Sequence, residues 1–197
     1  MTFKIGLTGS IGMGKSTTAQ MFVEEGCVLW DADAAVHRLY GEGGAAVAPL
    51  SAVFPEAVQN GVVSRDGLKK IISDDPSALK EIEAIVHPLV AEDRRRFLEE
   101  TESAITVLDI PLLFETGADA HVDAVVCVSI TPEIQEERVL QRGTMTTEQF
   151  AQIRAKQMPN AEKESRADYV IVTDTVAHAR AQVQSVLKDI RGKMADA

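Results

Sequence analysis

The sequence predicts an α/β fold in which a parallel β-sheet lies between two layers of helices. Short apolar runs alternate along the chain with segments of helical periodicity, and this alternation is typical of a parallel sheet buried on both faces. A glycine-rich stretch separates the first apolar run from the first helical segment. Residues 34–103 show helical patterns alone, which predicts a helical insertion between two strands.

The predicted core consists of five strands and the helices between them. The apolar runs are FKIGLT (3–8), CVLWDAD (27–33), AITVLDIP (104–111), DAVVCVSI (123–130) and ADYVIVTD (167–174). Helices are predicted at 14–26, which Gly26 ends, and at 176–190. The core is therefore predicted to comprise residues 1–33, 104–130 and 158–197.

The insertion is too long for an ordinary crossover helix, so residues 34–103 are predicted to form a subdomain. No strand pattern recurs within it. Its helical pieces are 34–40, 45–53, 65–73, 77–86 and 88–102, and a helix break is predicted at His87-Pro88.

Composition limits the classes of function. The chain has 197 residues, 45% of them apolar, and a net charge of −10. An acidic chain argues against nucleic acid as the main partner. No run of 18 apolar residues is present to span a membrane. Cys27 and Cys127 lie in separate apolar stretches, which predicts two buried thiols in a reducing compartment. The start of the chain shows no leader pattern, and a cytoplasmic protein is expected.

The glycine-rich stretch GSIGMGKS matches the P-loop pattern G-x-x-x-x-G-K-[ST] at Gly9, Gly14, Lys15 and Ser16. Glycines let backbone N–H groups approach phosphate oxygens closely, and the following helix adds its positive N-terminus. Lys15 is expected to reach the β- and γ-phosphates, and Ser16 to offer its hydroxyl to Mg²⁺. The alternative is a plain strand-to-helix turn. The strand–loop–helix context favours a P-loop three-layer core.

A helical hairpin at 131–157 is predicted to act as a lid. Thr131 is a plausible cap and Pro132 suits the first turn of its first helix. Arg138 and Arg142 are four residues apart and share a helix face. Phosphoryl transfer requires cations around the transferred group and a cover that excludes water. The alternative is a solvated face on which the arginines pair with nearby glutamates: Glu133, Glu136 and Glu137.

Three aspartates end predicted strands. Asp31 and Asp33 end the second strand, where a carboxylate can accept a proton from an acceptor hydroxyl or help to hold Mg²⁺. One of the two is instead expected to cap the helix that follows. Asp109 ends ITVL as a Walker-B carboxylate would, and a simple polar strand end is the equal alternative.

The sequence motifs of several other classes of nucleotide-binding protein are absent, which limits the reactions that the chain is expected to catalyse. The chain lacks the Asn-Lys-x-Asp stretch of GTP-reading switch proteins and the Ser-Gly-Gly signature of transporter ATPases. Its four histidines are not at metal-ligand spacing with cysteine or carboxylate. A kinase of a small acceptor fits best. The acceptor is left open between a nucleoside monophosphate and another small metabolite, and a non-catalytic nucleotide-binding module is the alternative to a kinase.

Taken together, the motifs resemble the dephospho-CoA kinase family over essentially the whole chain. The stretches that carry the resemblance are GLTGSIGMGKST, DAD at 31–33 with His37, IVHPL at 85–89, DIPLLFE at 109–115, Gln135 with Arg138 and Arg142, KQMP at 156–159 and ADYVI at 167–171. The resemblance implies a parallel-sheet core, a helical CoA-binding domain and a lid. It implies transfer of the γ-phosphate of ATP to the ribose 3′-hydroxyl of dephospho-CoA, the last step of coenzyme A synthesis.

The resemblance also implies roles for individual residues. Lys15, Asp33 and Arg138 become candidate catalytic residues. ATP, with Mg²⁺ at Ser16, is expected on Gly12, Met13, Gly14, Lys15, Ser16, Thr17 and Arg142. Dephospho-CoA is expected on Thr8, Asp33, Arg65, His87 and Pro88. Two positions depart from the family pattern: Ser10 stands where a further glycine is common, and Val172-Thr173-Asp174 follows ADYVI where an asparagine is usual.

Overall fold

The computed structural model describes residues 2–196. By compactness the chain divides into two units, which we call the core unit (Met1–Leu29 with Glu102–Ala197) and the helical unit (Trp30–Thr101). The strands are β1 (Phe3–Thr8), β2 (Val28–Asp31), β3 (Val58–Gln59), β4 (Val62–Val63), β5 (Ile105–Asp109), β6 (Ala124–Ser129) and β7 (Tyr169–Val172). The α-helices are α1 (Lys15–Glu24), α2 (Ala32–Tyr40), α3 (Val47–Val53), α4 (Arg65–Asp74), α5 (Ala78–Glu100), α6 (Pro132–Gln141), α7 (Thr147–Lys156), α8 (Asn160–Arg166) and α9 (Val176–Ala195).

The predicted α/β class is confirmed by a five-stranded sheet of order β2-β5-β1-β6-β7. The pairs β1–β5, β1–β6 and β6–β7 are parallel. Because the carboxyl ends of parallel strands lie at one edge, the residues after β1, β5, β6 and β7 are brought to the same edge of the sheet.

The core of this unit consists of strand residues and of helix residues that face them. Ile5, Val107 and Val128 from the strands and Phe22 and Leu187 from α1 and α9 are fully buried. Burying such side chains contributes about 1.5–3 kcal/mol each, which explains why the strands read as continuous apolar runs rather than alternating ones.

Local signals mark the helix ends near the predicted lid. Thr131 caps α6 by accepting a hydrogen bond from the N–H of Ile134, and Pro132 occupies its first position, as predicted. Thr146 and Gln149 form a reciprocal capping box at the start of α7. Helix α9 continues to Ala195, beyond the predicted end at 190, and the short helix α8 was not predicted.

The helical unit contains α2 to α5 around a separate apolar core that includes Leu39, Leu50, Phe54 and Ile82. The expectation that this segment has no strand is wrong, because β3 and β4 form an antiparallel hairpin. The strands have two residues each, which is too short for any periodicity to show. The dipeptide Asn60-Gly61 could have indicated the hairpin, because Asn-Gly is typical of two-residue hairpin turns, and both residues have the positive φ that such a turn requires.

The predicted helix break at His87-Pro88 is also wrong, because α5 runs without interruption through Pro88. Proline in a helix interior removes one hydrogen bond and costs about 3 kcal/mol. Buried contacts on both sides of the proline offset that cost. Ile82 and Val86 are buried before it, and after it Asp93 accepts a hydrogen bond from the buried indole of Trp30 at 2.8 Å.

Within residues 2–196, every helix is too short or too polar to cross a membrane.

Candidate active site

The loop between β1 and α1 has the backbone that its glycines predict. Gly12 and Gly14 have φ of 79° and 88°, in the left-handed region that favours glycine. A Cβ on Gly12 would lie 2.5 Å from Cγ2 of Val139, so no side chain fits there. Ser10 does not share this conformation, since Asn60 is the one non-glycine residue with positive φ in the described chain. The serine therefore fits the loop without strain.

The loop is held by amide side chains that are distant in sequence. The N–H of Ile11 donates to Oε1 of Gln157 at 3.3 Å, and its carbonyl accepts from Nε2 of Gln135 at 2.7 Å. The N–H of Ser10 donates to Oδ1 of Asn160 at 3.3 Å. Gln135 and Gln157 lie within the stretches that carry the family resemblance, but no role was predicted for Gln157 or Asn160. Both ends of the predicted lid segment thus contact the same loop residue.

The N-terminus of α1 presents the groups that bind a phosphate. Gly14 is the N-cap, and Lys15, Ser16 and Thr17 form the first turn, which contains no acidic residue. The N–H groups of a first turn have no acceptor within the helix, and the helix dipole makes this end positive. Ser16 and Thr17 are exposed. This end of α1 is therefore suited to anionic oxygens.

Lys15 and Asp109 form an ion pair at the edge of the sheet. Asp109 ends β5 and is 2% exposed, whereas the Lys15 side chain is 16% exposed. A carboxylate this deeply buried must be compensated by a cation or by hydrogen bonds. Asp109 is thus more than a polar strand end: it holds the P-loop lysine. A metal-binding role for Asp109 stays a prediction.

Arg138 lies beside the P-loop, and its guanidinium donates to Thr173 rather than pairing with the neighbouring glutamates of α6. Its Nη1 donates to Oγ1 of Thr173 at 3.1 Å and its Nη2 to the carbonyl of Thr173 at 2.6 Å. The hydroxyl of Thr173 in turn donates to the carbonyl of Met13 at 2.7 Å. Arg142, at the end of α6, is exposed, and its guanidinium makes no hydrogen bond or ion pair with any residue that the structure describes. The two predicted lid arginines are therefore placed differently.

A cavity of about 470 Å³ opens beside the P-loop within the core unit. Ser10 and Met13 line it on the loop side, Gln135 and Arg154 line it from α6 and α7, and Met158 lines it from the segment between α7 and α8. Arg154, a cation of the predicted lid, thus faces the same space as the loop.

The candidate acceptor residues lie in the helical unit, apart from Thr8. Asp31 caps α2 by accepting from the N–H of Ala34 at 2.8 Å, which confirms that one of the two aspartates is a cap. Asp33 belongs to the first turn of α2, not to the strand, and is exposed. Arg65 donates to the carbonyl of Asp33 at 3.5 Å and lies 5.9 Å from the ring centroid of Tyr40. The unit thus brings Arg65 next to Asp33.

His87 and Pro88 are adjacent and exposed on α5. Thr8, the remaining candidate, is fully buried at the end of β1 and donates to the carbonyl of Pro111 at 3.1 Å.

A buried lysine that was not predicted from the sequence shares a hydrogen-bond acceptor, the carbonyl of Pro111, with Thr8. Lys163 of α8 is 0% exposed and donates to the carbonyl of Pro111 at 3.0 Å and to Oε1 of Glu115 at 2.9 Å. Burial raises the pKa of Glu115, but hydrogen bonds from Lys163 and from the N–H of Met158 outweigh it, so its pKa is below the usual range. In the sequence, the feature that could have indicated this pair is Glu115, a charged residue at the end of the apolar run PLLFE.

The two cysteines are buried free thiols, as predicted. Burial raises the pKa of Cys27 to about 11 and that of Cys127 to about 12. Both thiols therefore stay protonated at neutral pH, which leaves them unsuited to nucleophilic chemistry.

Comparison with known proteins identifies a family. A family model described as dephospho-CoA kinase matches residues 3–178. A protein of Ruegeria pomeroyi named dephospho-CoA kinase is 70% identical over 191 residues, covering 97% of both chains. One of the same name from Cereibacter sphaeroides is 53% identical over 96% of both chains.

Solved structures also resemble this chain over nearly its whole length. A Thermus thermophilus protein superposes with a TM-score of 0.86 at 32% identity, covering 95% of this chain and 97% of its own. The dephospho-CoA kinase from Campylobacter jejuni gives 0.73 at 25% identity, covering 98% and 100%. A shikimate kinase from Bacteroides thetaiotaomicron shares the fold at 14% identity, with a TM-score of 0.53 and coverage of 96% and 98%.

Proposed function

Since the chain belongs to the dephospho-CoA kinase family, and so is a transferase of the final step of coenzyme A biosynthesis, we propose how its residues divide the reaction. ATP is the donor, and the ribose 3′-hydroxyl of dephospho-CoA is the acceptor. The observation that carries the proposal is the P-loop, where the first turn of α1, Lys15 and Arg138 lie around one stretch of glycine-rich backbone.

The donor side is assigned to the core unit. The phosphates of ATP are bound by the loop and the first turn of α1, which comprise Gly12, Met13, Gly14, Lys15, Ser16 and Thr17. Lys15 and Arg138 stabilise the negative charge on the transferred group, and Arg142 contacts the nucleotide. The buried pair with Asp109 keeps Lys15 at the edge of the sheet, where this charge develops.

Mg²⁺ fits the donor side by the chemistry of its ligands. Mg²⁺ keeps several waters and takes a few oxygen ligands besides those of the phosphates, and Ser16 offers an exposed hydroxyl at the start of α1. When bound, the ion neutralises charge on the β- and γ-phosphates.

The acceptor side is assigned to Asp33 and its neighbours. The Asp33 carboxylate takes the proton from the 3′-hydroxyl while the 3′-oxygen bonds to the γ-phosphorus and the bond to the β-phosphate oxygen breaks, releasing ADP. Its exposure on the first turn of α2 suits contact with a substrate. Thr8, Arg65, His87 and Pro88 are proposed to bind dephospho-CoA.

The assignment is tested by an ADP-release assay with Mg·ATP and dephospho-CoA, with the product identified by mass spectrometry. We expect turnover that depends on dephospho-CoA. Adenosine monophosphate and other small alcohols are offered as competing acceptors. A faster reaction with one of them would move the function to another small-molecule kinase. ATP binding without turnover of any acceptor would indicate a non-catalytic module.

We also infer a cytoplasmic location, because buried free thiols suit a reducing compartment, and a small-molecule substrate rather than a nucleic acid, because the chain is acidic.

A further inference from the structure

Thr173 follows β7 and connects the sheet with the P-loop. It is 7% exposed, and its N–H donates to the carbonyl of Ser129 at 2.9 Å. Its hydroxyl lies 2.7 Å from the carbonyl of Met13 and 3.3 Å from that of Ser129. The single hydroxyl hydrogen therefore has its shorter contact with the P-loop.

The same residue provides two acceptors for Arg138. One guanidinium nitrogen donates to the Thr173 hydroxyl and another to the Thr173 carbonyl. Because a guanidinium is planar and its donors have fixed directions, two acceptors on one residue define its orientation.

Thr173 also contacts the N-cap of α1. A Cβ on Gly14 would lie 3.1 Å from Oγ1 and 3.2 Å from Cβ of Thr173, so the two residues are packed closely. The N–H groups proposed to bind phosphate begin at this cap. Movement of Thr173 would thus displace both the loop and the arginine.

We propose that Thr173 is a positioning residue for the donor nucleotide. Its hydroxyl joins the Met13 carbonyl to the Arg138 guanidinium and so keeps the cation at a fixed place relative to the phosphate-binding loop. Thr173 acts through these two groups and needs no contact with either substrate. The inference rests on the proposed function, since it takes ATP to be bound by the P-loop and Arg138.

The first test compares Thr173→Val with Thr173→Ser. Valine keeps the shape and the backbone carbonyl but removes the hydroxyl, whereas serine keeps the hydroxyl. Losing a hydrogen bond to a charged group weakens binding by about tenfold or more, so we expect the KM for ATP to rise about tenfold in Thr173→Val. The KM for dephospho-CoA is expected to change less than about twofold, and serine to restore the KM for ATP.

The second test is a double-mutant cycle with Arg138→Met. In the Arg138→Met background only the contact with the Met13 carbonyl is left to lose, so adding Thr173→Val is expected to raise the KM for ATP by clearly less than the rise of about tenfold in the wild-type background. Full additivity of the two effects would overturn the proposal. So would an equal rise of both KM values in Thr173→Val, which indicates general damage to the fold.

A third measurement separates this inference from the proposed function. Calorimetric titration of ATP alone into the wild type and the variants needs no acceptor turnover. If dephospho-CoA is not phosphorylated but the affinity for ATP falls in Thr173→Val and returns in Thr173→Ser, the proposed function fails and the role of Thr173 stands. Unchanged affinity in Thr173→Val overturns that role. Thr173→Ala, which has no group larger than a methyl to fit beside Gly14, replaces Thr173→Val if the valine variant does not fold.

Discussion

In the core unit, the polar groups around the P-loop are held by partners far away in sequence, whereas in the helical unit the proposed acceptor residues are exposed and weakly held. Lys15 and Asp109 are 94 residues apart, and Ser10 and Asn160 are 150 apart. Asp33 instead has an exposed side chain, and its backbone carbonyl accepts a long hydrogen bond of 3.5 Å from Arg65. We therefore expect the proposed donor side to be ordered before ATP binds and the proposed acceptor side to depend on dephospho-CoA for its contacts.

The largest expected effect is that of Asp33→Asn, which tests the helical unit at its proposed catalytic residue. Removing the proton acceptor is expected to lower kcat by about 10²- to 10⁴-fold while the affinity for ATP is kept. Asp31→Asn is the matched control, since asparagine caps a helix as well as aspartate does. A kcat of Asp33→Asn within about tenfold of the wild type would contradict proton acceptance.

Lys15→Ala tests the core unit. Loss of a cation that stabilises the developing charge is expected to lower kcat by about 10²- to 10³-fold. Lys4→Ala is the control, because Lys4 forms a partly exposed pair with Asp123 elsewhere on the core unit. Steady-state rates and thermal midpoints are measured on both. Activity of Lys15→Ala within about tenfold of the wild type would count against the assigned role.

Lys163→Met tests whether the order of the core unit depends on buried polar contacts. Removing Lys163 deprives the Pro111 carbonyl and the partly exposed Glu115 of this donor, which is expected to lower the free energy of unfolding by about 1–3 kcal/mol. Urea denaturation measures it, with the exposed Lys69→Met expected to change stability by less than about 0.5 kcal/mol. Equal stabilities of the two variants would show that the contacts of Lys163 with Pro111 and Glu115 contribute no stability.

The same pair predicts a pH dependence. The pKa of Glu115 is lower in the folded protein than its ordinary value of 4.5, so the pair's contribution is present above that value. It is lost as the pH falls through the lower, folded-state pKa. The difference in unfolding free energy between the wild type and Lys163→Met is therefore expected to be constant above pH 4.5 and to shrink as the pH falls below that value. A difference that stays constant below pH 4.5 would contradict an ionic contribution from Glu115.

The smallest effect is expected for His87→Ala on the acceptor side. Loss of one hydrogen bond to a charged substrate raises the KM for dephospho-CoA about tenfold and leaves the KM for ATP unchanged. Because His87 is exposed, the thermal midpoint is expected to stay the same. Lys80→Ala, on the same helix, is the control. If His87→Ala changed the KM for ATP and not that for dephospho-CoA, the assignment of His87 to the acceptor side would be wrong.

Local chemistry explains what was predictable. The P-loop could be placed because its glycines, its lysine and the helix that follows are adjacent in the chain. The start of α6 was predictable because Thr131 and Pro132 act within one turn. The hairpin at Asn60-Gly61 was missed because its strands are too short to show a period, and the break at Pro88 was predicted because the packing along α5 is invisible in a local pattern.

The sequence by itself determined the fold class, the position of the P-loop and the family, because these depend on residues close together in the chain and on motif order. Only the tertiary structure decided that Lys15 pairs with Asp109, that Thr173 holds Arg138 and that the buried Lys163 pairs with Glu115. These contacts join residues that meet because parallel strands end at one edge of the sheet. Residue type and sequence spacing contain no information on which distant side chain arrives there.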